Sequence, residues 1–410
     1  MAKIETYDVV VVGGGPSGAT AATDLALKGH KVLLLDRAGR IKPCGGAIPP
    51  RLIKDFDIPD ALIVAKVTCA RIVSPANKHV DMPIETGGYV GMVDRDEFDE
   101  WLRMRAESAG AERRTGTFEK LSRDDAGVSV VSYRPKGAAE SVLESVKARC
   151  VIGADGANSG VGKQAVPCAD KTPFVFAYHE IIKSPTSAQA AVMPKNGSAF
   201  DGARCDVFYQ GTLSPDFYAW IFPHGDTVSV GTGSAHKGFS LRSAVGNLRE
   251  LSGLAGTETI RREGAPIPLR PAKRWDNGRD VILAGDAAGV VAPASGEGIY
   301  YAMYGGRLSA DAADQFLVTG DARALATARK RFMKAHGTVF WVLGMMQHFW
   351  YKNDKRREKF VHICRDEDVQ QLTWQSYMHK ELVKTRPMAH VRIFFKDLAH
   401  LVGLAPAHKG

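Results

Sequence analysis

The chain has 410 residues, too many for one simple core, so two or three domains are expected. With 45% hydrophobic and 24% charged residues it is composed like an ordinary globular protein, and its formal net charge of +9 suits an anionic membrane or a phosphorylated or carboxylated substrate. Nucleic acid is not expected, since the charge is spread along the chain without a recognition motif; nor is a transmembrane helix, for want of an apolar run of about 18 residues; nor a disulfide framework or metal site, since Cys44, Cys69, Cys150, Cys168, Cys205 and Cys364 include no C-x-x-C pair.

Tyr7-Asp8-Val9-Val10-Val11-Val12 is a short apolar, β-branched run of the kind found in buried parallel strands. It starts too early to leave room for a signal peptide, and a cytoplasmic location is expected. The run ends in Gly13-Gly14-Gly15-Pro16-Ser17-Gly18, which contains G-x-G-x-x-G. Residues 19–28 are Ala-rich and read as a helix stopped by Gly29; Lys31-Val32-Leu33-Leu34-Leu35 reads as a second strand ending on Asp36. In this arrangement Gly13 permits the tight turn, Gly15 lets the backbone approach a pyrophosphate, and Gly18 lets helix and strand pack closely. Asp36 would accept hydrogen bonds from ribose hydroxyls. G-x-G-x-x-G alone is an ordinary glycine turn; the strand before it, the helix after it and the acid 18 residues beyond Gly18 make it a dinucleotide site.

A Gly/Pro-rich loop, Lys42-Pro43-Cys44-Gly45-Gly46-Ala47-Ile48-Pro49-Pro50, follows. Residues 66–90 alternate β-type runs with turn residues. Residues 94–109 are predicted as a helix whose Phe98, Leu102 and Ala106 share one face. Strands are predicted at 128–133 and 142–152, the second running into Gly153-Ala154-Asp155-Gly156. Residues 170–270 read as a second sheet. A strand at 281–284 then leads into Gly285-Asp286-Ala287-Ala288-Gly289, which either caps a helix or binds a polyol or phosphate at that helix's N-terminus. The remaining third is helical. The fold class is thus α/β plus α+β: a discontinuous Rossmann-type domain (1–72, 91–165 and 276–325), a second β-sheet domain for substrate (73–90 and 166–275) and a helical C-terminal region (326–410).

The Gly-rich loop, Asp155-Gly156 and Gly285-Asp286, in this order, resemble the flavoprotein group that contains p-hydroxybenzoate hydroxylase, the geranylgeranyl reductases and the flavin-dependent lycopene cyclases. Lys42-Pro43-Cys44-Gly45-Gly46 and Tyr218-Ala219-Trp220-Ile221-Phe222-Pro223 look like the P-x-C-G-G and Y-x-W-x-F-P motifs of the geranylgeranyl reductases, and residues 42–110 and 280–305 resemble those of chlorophyll and bacteriochlorophyll synthesis. The resemblance implies an FAD-dependent reductase that saturates a geranylgeranyl chain to phytyl, on geranylgeranyl diphosphate or a prenylated tetrapyrrole, with NADPH or reduced ferredoxin as donor. It implies FAD contacts at Gly13, Gly15, Gly18, Asp36, Cys44, Gly45, Arg95, Asp155, Asp286, Gly298 and Ile299. One departure is Lys163, where the hydroxylases usually carry an arginine. A prenyl cyclase, an aromatic hydroxylase and a non-enzymatic pigment scaffold are the rival readings.

Reducing an unactivated alkene needs a proton for the second carbon and a dry pocket. Cys44 is either a group beside the flavin or a small buried filler. Tyr218, Trp220 and Phe222 alternate along a predicted strand, where they either wall the prenyl pocket or belong to the sheet core. His224 either relays protons or is structural. Arg95 either touches FAD or is a solvent-exposed arginine paired with Asp99 at i+4. Residues 332–359 place large apolar side chains beside Lys352, Lys355, Arg356, Arg357 and Lys359. They read either as a membrane-interface helix or as one packed on the flavin domain. The first option makes the protein peripheral to a photosynthetic membrane, among pigment-synthesis enzymes.

Overall fold

The computed structural model describes residues 4–37, 41–84, 87–186 and 199–380. Its elements are β1 (Thr6–Val12), α1 (Pro16–Leu27), β2 (Val32–Asp36), β3 (Ala47–Ile48), α2 (Pro50–Asp55), β4 (Ala65–Val67), β5 (Cys69–Val73), β6 (His79–Pro83), β7 (Val90–Met92), α3 (Arg95–Ser108), β8 (Glu112–Arg123), β9 (Ser129–Pro135), β10 (Glu144–Gly153), α4 (Gly160–Ala165) and β11 (Phe174–Lys183). There follow β12 (Arg204–Phe208), β13 (Ala219–His224), β14 (Thr227–Ser234), α5 (Leu241–Leu251), β15 (Thr259–Pro268), β16 (Val281–Leu283), α6 (Ile299–Thr319), α7 (Ala326–Trp350), α8 (Asp354–Ile363) and α9 (Glu367–His379). The part of the predicted helical region at 381–410 lies outside the described residues.

The chain divides into two compact units, Met1–Gly46 with Val93–Ala177 and Gly264–Met345, and Ala47–Met92 with Tyr178–Glu263 and Met346–Gly410. Sequence reading put the changes of domain at 72/73, 90/91, 165/166, 275/276 and 325/326. Two of the structure's changes fall inside the continuous strands β11 and β15, where no turn interrupts the chain.

In the first unit, β1 lies parallel to both β2 and β10, β2 to β8, and β10 to β16. β9 runs antiparallel to β8 and β10. With neighbours on each edge, the apolar run of β1 disappears from solvent: Val9, Val10 and Val11 are fully buried, as are Leu33 and Leu34 of β2. Each such side chain contributes about 1.5–3 kcal/mol. Helices α1 and α6 pack closely, and a Cβ on Gly306 would stand 2.2 Å from the Ser17 carbonyl oxygen.

β8 was not predicted. Its sequence is polar and carries no apolar alternation; ladders to β2 and β9, with ion pairs such as Arg113 to Glu100 at 2.6 Å, hold it instead. Three short helices, α2, α4 and α5, were also missed. α2 begins at Pro50, whose fixed φ suits a first helical position, and α5 is capped by Ser240, which accepts from the Ser243 N–H at 3.2 Å.

The second unit holds a seven-stranded sheet of order β15-β11-β14-β13-β12-β5-β6 and a small sheet β3-β7-β4. Ala219, Ile221, Val228 and Val230 pack on Val245 and Leu248 of α5. Alternation along β13 therefore sends Trp220 and Phe222 to the opposite face. In the C-terminal part, Arg357 of α8 is buried, donates to the carbonyls of Tyr351 at 2.7 Å and Pro215 at 2.5 Å, and pairs with Asp354 at 3.0 Å.

Candidate functional site

Parallel pairing brings the C-terminal ends of β1, β10 and β16 side by side, and with them the Gly-rich turn, Asp155-Gly156 and Gly285-Asp286. The Ala154 N–H donates to the Val12 carbonyl at 2.8 Å and the Ala284 N–H to the Gly153 carbonyl at 2.9 Å. A cleft of about 480 Å³ opens there, lined by Gly13, Gly15, Asp36, Lys42, Asp155 and Asp286 among others. This is the crevice where open parallel sheets bind ligands.

Local geometry fits a dinucleotide. α1 starts behind Gly15 with no side-chain cap and no acid in its first turn, so its N–H groups and the positive end of its dipole remain for an anion. Gly13 has φ +105°, and a Cβ there would meet the Ala154 carbonyl oxygen at 2.3 Å. A Cβ on Gly15 would meet nothing within 4 Å, so that space is available to a phosphate. Asp36 accepts from the Gly14 N–H at 2.8 Å at the end of β2, the position expected of the ribose acid.

The other two aspartates are engaged differently. The Asp155 carboxylate accepts from Ser159 Oγ at 2.5 Å and from the N–H groups of Gly160 at 2.6 Å and Val161 at 3.1 Å, bracing the start of α4. Burial pushes its carboxyl up despite those donors. Gly156, which has φ +87° and open space at its Cβ position, leaves the adjacent backbone facing the cleft. Asp286 pairs with Lys42 of the Gly/Pro-rich loop. Lys42 opens the Lys42-Pro43-Cys44-Gly45-Gly46 motif, but no local pattern links it to a residue 244 positions away.

Arg95 is neither solvent-exposed nor free. It is 5% exposed at the start of α3 and donates to both Asp99 oxygens, at 2.9 and 2.7 Å. Burial opposes its charge, but Asp99 and the adjoining Cys44 sulfur outweigh that and raise its pKa. Cys44 also accepts from the Gly46 N–H at 3.4 Å. The Cys44 loop is thereby tied to α3 inside the first unit. Gly298 is the N-cap residue of α6, with no side-chain cap, and Ile299 is that helix's first residue.

In the second unit the rings of Tyr218 and Trp220 lie 5.9 Å apart and those of Trp220 and Phe222 6.1 Å apart, one aromatic face along β13. His224 is buried at the end of that strand, opposite Thr227. Beneath Trp220 lies a group that sequence reading missed: Ser229, His179 and Glu263.

Residues 332–359 are not one continuous face. Phe332 and Phe340 are buried with Tyr301 in the first unit, ring to ring at 6.1 and 4.9 Å, whereas Trp341 and Met345 are 66% and 50% exposed. The basic residues start the separate helix α8. No helix among the described residues is long and apolar enough to cross a membrane.

Residues 8–56 match the family described as FAD dependent oxidoreductase, and residues 58–198 the family described as FAD binding domain. A geranylgeranyl diphosphate reductase of Rhodobacter capsulatus is 58% identical over 98% of each chain. A chloroplastic geranylgeranyl diphosphate reductase of Oryza sativa is 35% identical over 96% of this chain and 86% of its own. The solved structure of a geranylgeranyl bacteriochlorophyll reductase-like protein of Thermoplasma acidophilum superposes with a TM-score of 0.81 at 22% identity, covering 98% of this chain and 100% of that one, and shares the fold. With these matches, the dinucleotide of the first unit is FAD.

Proposed function

The chain belongs to the geranylgeranyl reductase family of FAD-dependent oxidoreductases, and on that premise we propose that it saturates double bonds of a geranylgeranyl chain to give phytyl, on geranylgeranyl diphosphate or a geranylgeranyl-bacteriochlorophyll or chlorophyll. The observation that carries the reading is the 58% identity along 98% of both chains to a relative named for this substrate.

Bound FAD, once reduced by the electron donor, would supply the hydride; positioning, dryness and the proton fall to the chain. The uncapped α1 N-terminus and Gly15 would hold the pyrophosphate, Asp36 the ribose, and Asp286 with Lys42 the polyol. Asp155 acts through the backbone it braces, and Gly298 and Ile299 offer the start of α6. Cys44 and Gly45, fastened by Arg95 and Asp99, are the loop residues we assign to the flavin's neighbourhood. Tyr218 and Trp220 offer the apolar wall that a prenyl chain needs, and both are nearly buried, which keeps water from that face.

NADPH is the favoured electron donor, with Lys163 supplying the charge for its phosphates; reduced ferredoxin is the second. The exposed Trp341 and Met345 of α7 favour a peripheral place on a photosynthetic membrane. There the protein would meet prenylated pigments and the enzymes that make them.

The test is an anaerobic assay of the FAD-loaded protein, with geranylgeranyl diphosphate and geranylgeranyl-bacteriochlorophyll in parallel and each donor in turn. Product mass should rise by two hydrogens per reduced bond, with stoichiometric donor consumption. A product formed without donor consumption would point to a cyclase, and no hydrogen gain with either donor overturns the reading.

A further inference from the structure

Four adjacent strands of the large sheet, in the order β15-β11-β14-β13, each contribute one side chain to a single hydrogen-bonded chain. Trp220 Nε1 lies 3.1 Å from Ser229 Oγ, Ser229 Oγ 2.9 Å from His179 Nδ1, and His179 Nε2 3.0 Å from Glu263 Oε2. An indole N–H only donates, so Ser229 Oγ accepts from it. The serine's own hydrogen then goes to His179 Nδ1, which leaves Nε2–H to donate to the carboxylate. One polarity satisfies every member. Burial works against a charge on Glu263, but His179 and then Arg261, whose Nε is 2.9 Å from Oε1, hold its carboxyl below the ordinary range.

The sheet is also shaped for this chain. Gly231 sits opposite Trp220 in the ladder, and a Cβ there would meet the indole at 2.2 Å and the His179 Cβ at 2.6 Å. The missing side chain lets the indole lie across β14 and reach Ser229. Trp220 is 5% exposed, His179 3% and Ser229 fully buried, so water cannot substitute for a lost member.

We infer that Glu263, His179 and Ser229 are positioning residues that set the orientation of the Trp220 indole and through it the shape of the prenyl site; this rests on the reading that Trp220 walls that site. A carboxylate that orients an imidazole, which orients a hydroxyl, is a rigid arrangement because each bond fixes the next donor's direction.

The experiment uses the FAD-loaded full-length chain with ¹⁵N-labelled tryptophan, reading indole N–H resonances and the KM and kcat for geranylgeranyl diphosphate. Loss of one resonance in W220F assigns Trp220. In E263A and H179Q the Trp220 resonance shifts and KM rises about fivefold or more, with smaller change in kcat. E263Q, which keeps an acceptor oxygen, and H179N, which keeps one opposite Ser229, restore most of both; should E263A fail to fold, the H179Q and H179N pair decides. In the W220F background E263A or H179Q changes KM less than about twofold, since the partner they act through is absent. An unmoved Trp220 resonance, or an equal KM effect with and without Trp220, overturns the inference. A wild-type protein that reduces no geranylgeranyl substrate overturns the function instead, while the resonance still decides the relay.

Discussion

A Cβ on Gly18 would stand 1.9 Å from the carbonyl oxygen of Gly13, so the two ends of the nucleotide turn touch backbone to backbone. Gly15, midway between them, has open space where a Cβ would be. The two substitutions should therefore separate. Gly18→Ala forces the turn apart and lowers both apoprotein stability and FAD affinity. Gly15→Ala leaves the apoprotein melting temperature within about 2 °C while weakening FAD at least about tenfold, or ~1.4 kcal/mol. Flavin absorbance titration and thermal unfolding of the apoprotein read the two effects; equal FAD affinity in Gly15→Ala would remove Gly15 from the pyrophosphate site.

Gly231→Ala places a methyl group where the Trp220 indole lies, 2.2 Å from its nearest ring atom. The indole must leave, so KM for the prenyl substrate should rise about tenfold while FAD content stays at that of the wild type. An unchanged KM together with an unmoved Trp220 fluorescence would show that the sheet absorbs the methyl group elsewhere.

Arg95 and Asp99 form a two-bond ion pair with side chains 5% and 9% exposed. Removing one partner strands a buried charge, so Asp99→Leu should cost about 3–5 kcal/mol, and the double variant Arg95→Met/Asp99→Leu considerably less. Urea unfolding of the apoproteins measures this. Loss of FAD affinity in the double variant, at near-normal stability, would add a direct role of Arg95 toward the cofactor.

Lys42 and Asp286 neutralise one another beside the cleft. Asp286→Ala should weaken FAD about tenfold by removing the acceptor for polyol hydroxyls, and Lys42→Met less, because the α1 N-terminus supplies other donors. Fluorescence quenching of the flavin on binding gives both constants. A larger effect for Lys42 would move its contact to the pyrophosphate.

Glu100 lies 2.6 Å from Arg113 and 2.8 Å from Arg103, and hydrogen bonding to Arg113, ahead of Arg103, lowers its carboxyl from 4.5 to about 2. The folded-state pKa is depressed, so its contribution is full above about pH 5 and is lost as pH falls towards 2. The shift corresponds to about 3 kcal/mol at most, and because the side chain is 40% exposed, screening leaves about 1 kcal/mol. Glu100→Gln should lower stability by that amount at pH 7 and not at pH 2. Urea midpoints at the two pH values test it; an equal loss at both would mean packing rather than charge.

Much of the nucleotide site was legible because its requirements are local. A tight strand-to-helix turn demands Gly13 and Gly18 within a few residues, β1 needs an unbroken apolar run to be buried on both faces, and Asp36 follows at the end of the next strand. These constraints are steric properties of consecutive backbone, so the order of residues by itself determined them, along with the resemblance that names the cofactor. What only the tertiary structure decided are the partnerships made across strands and helices. β8 is a strand through its neighbours' ladders despite a polar sequence, and the large apolar residues of 332–351 divide between core and surface because helix faces, not composition, choose which are buried. His179 and Glu263 are 84 residues apart and His179 and Ser229 50 apart; only the strand order of the sheet places them in contact, since side-chain polarity carries no address.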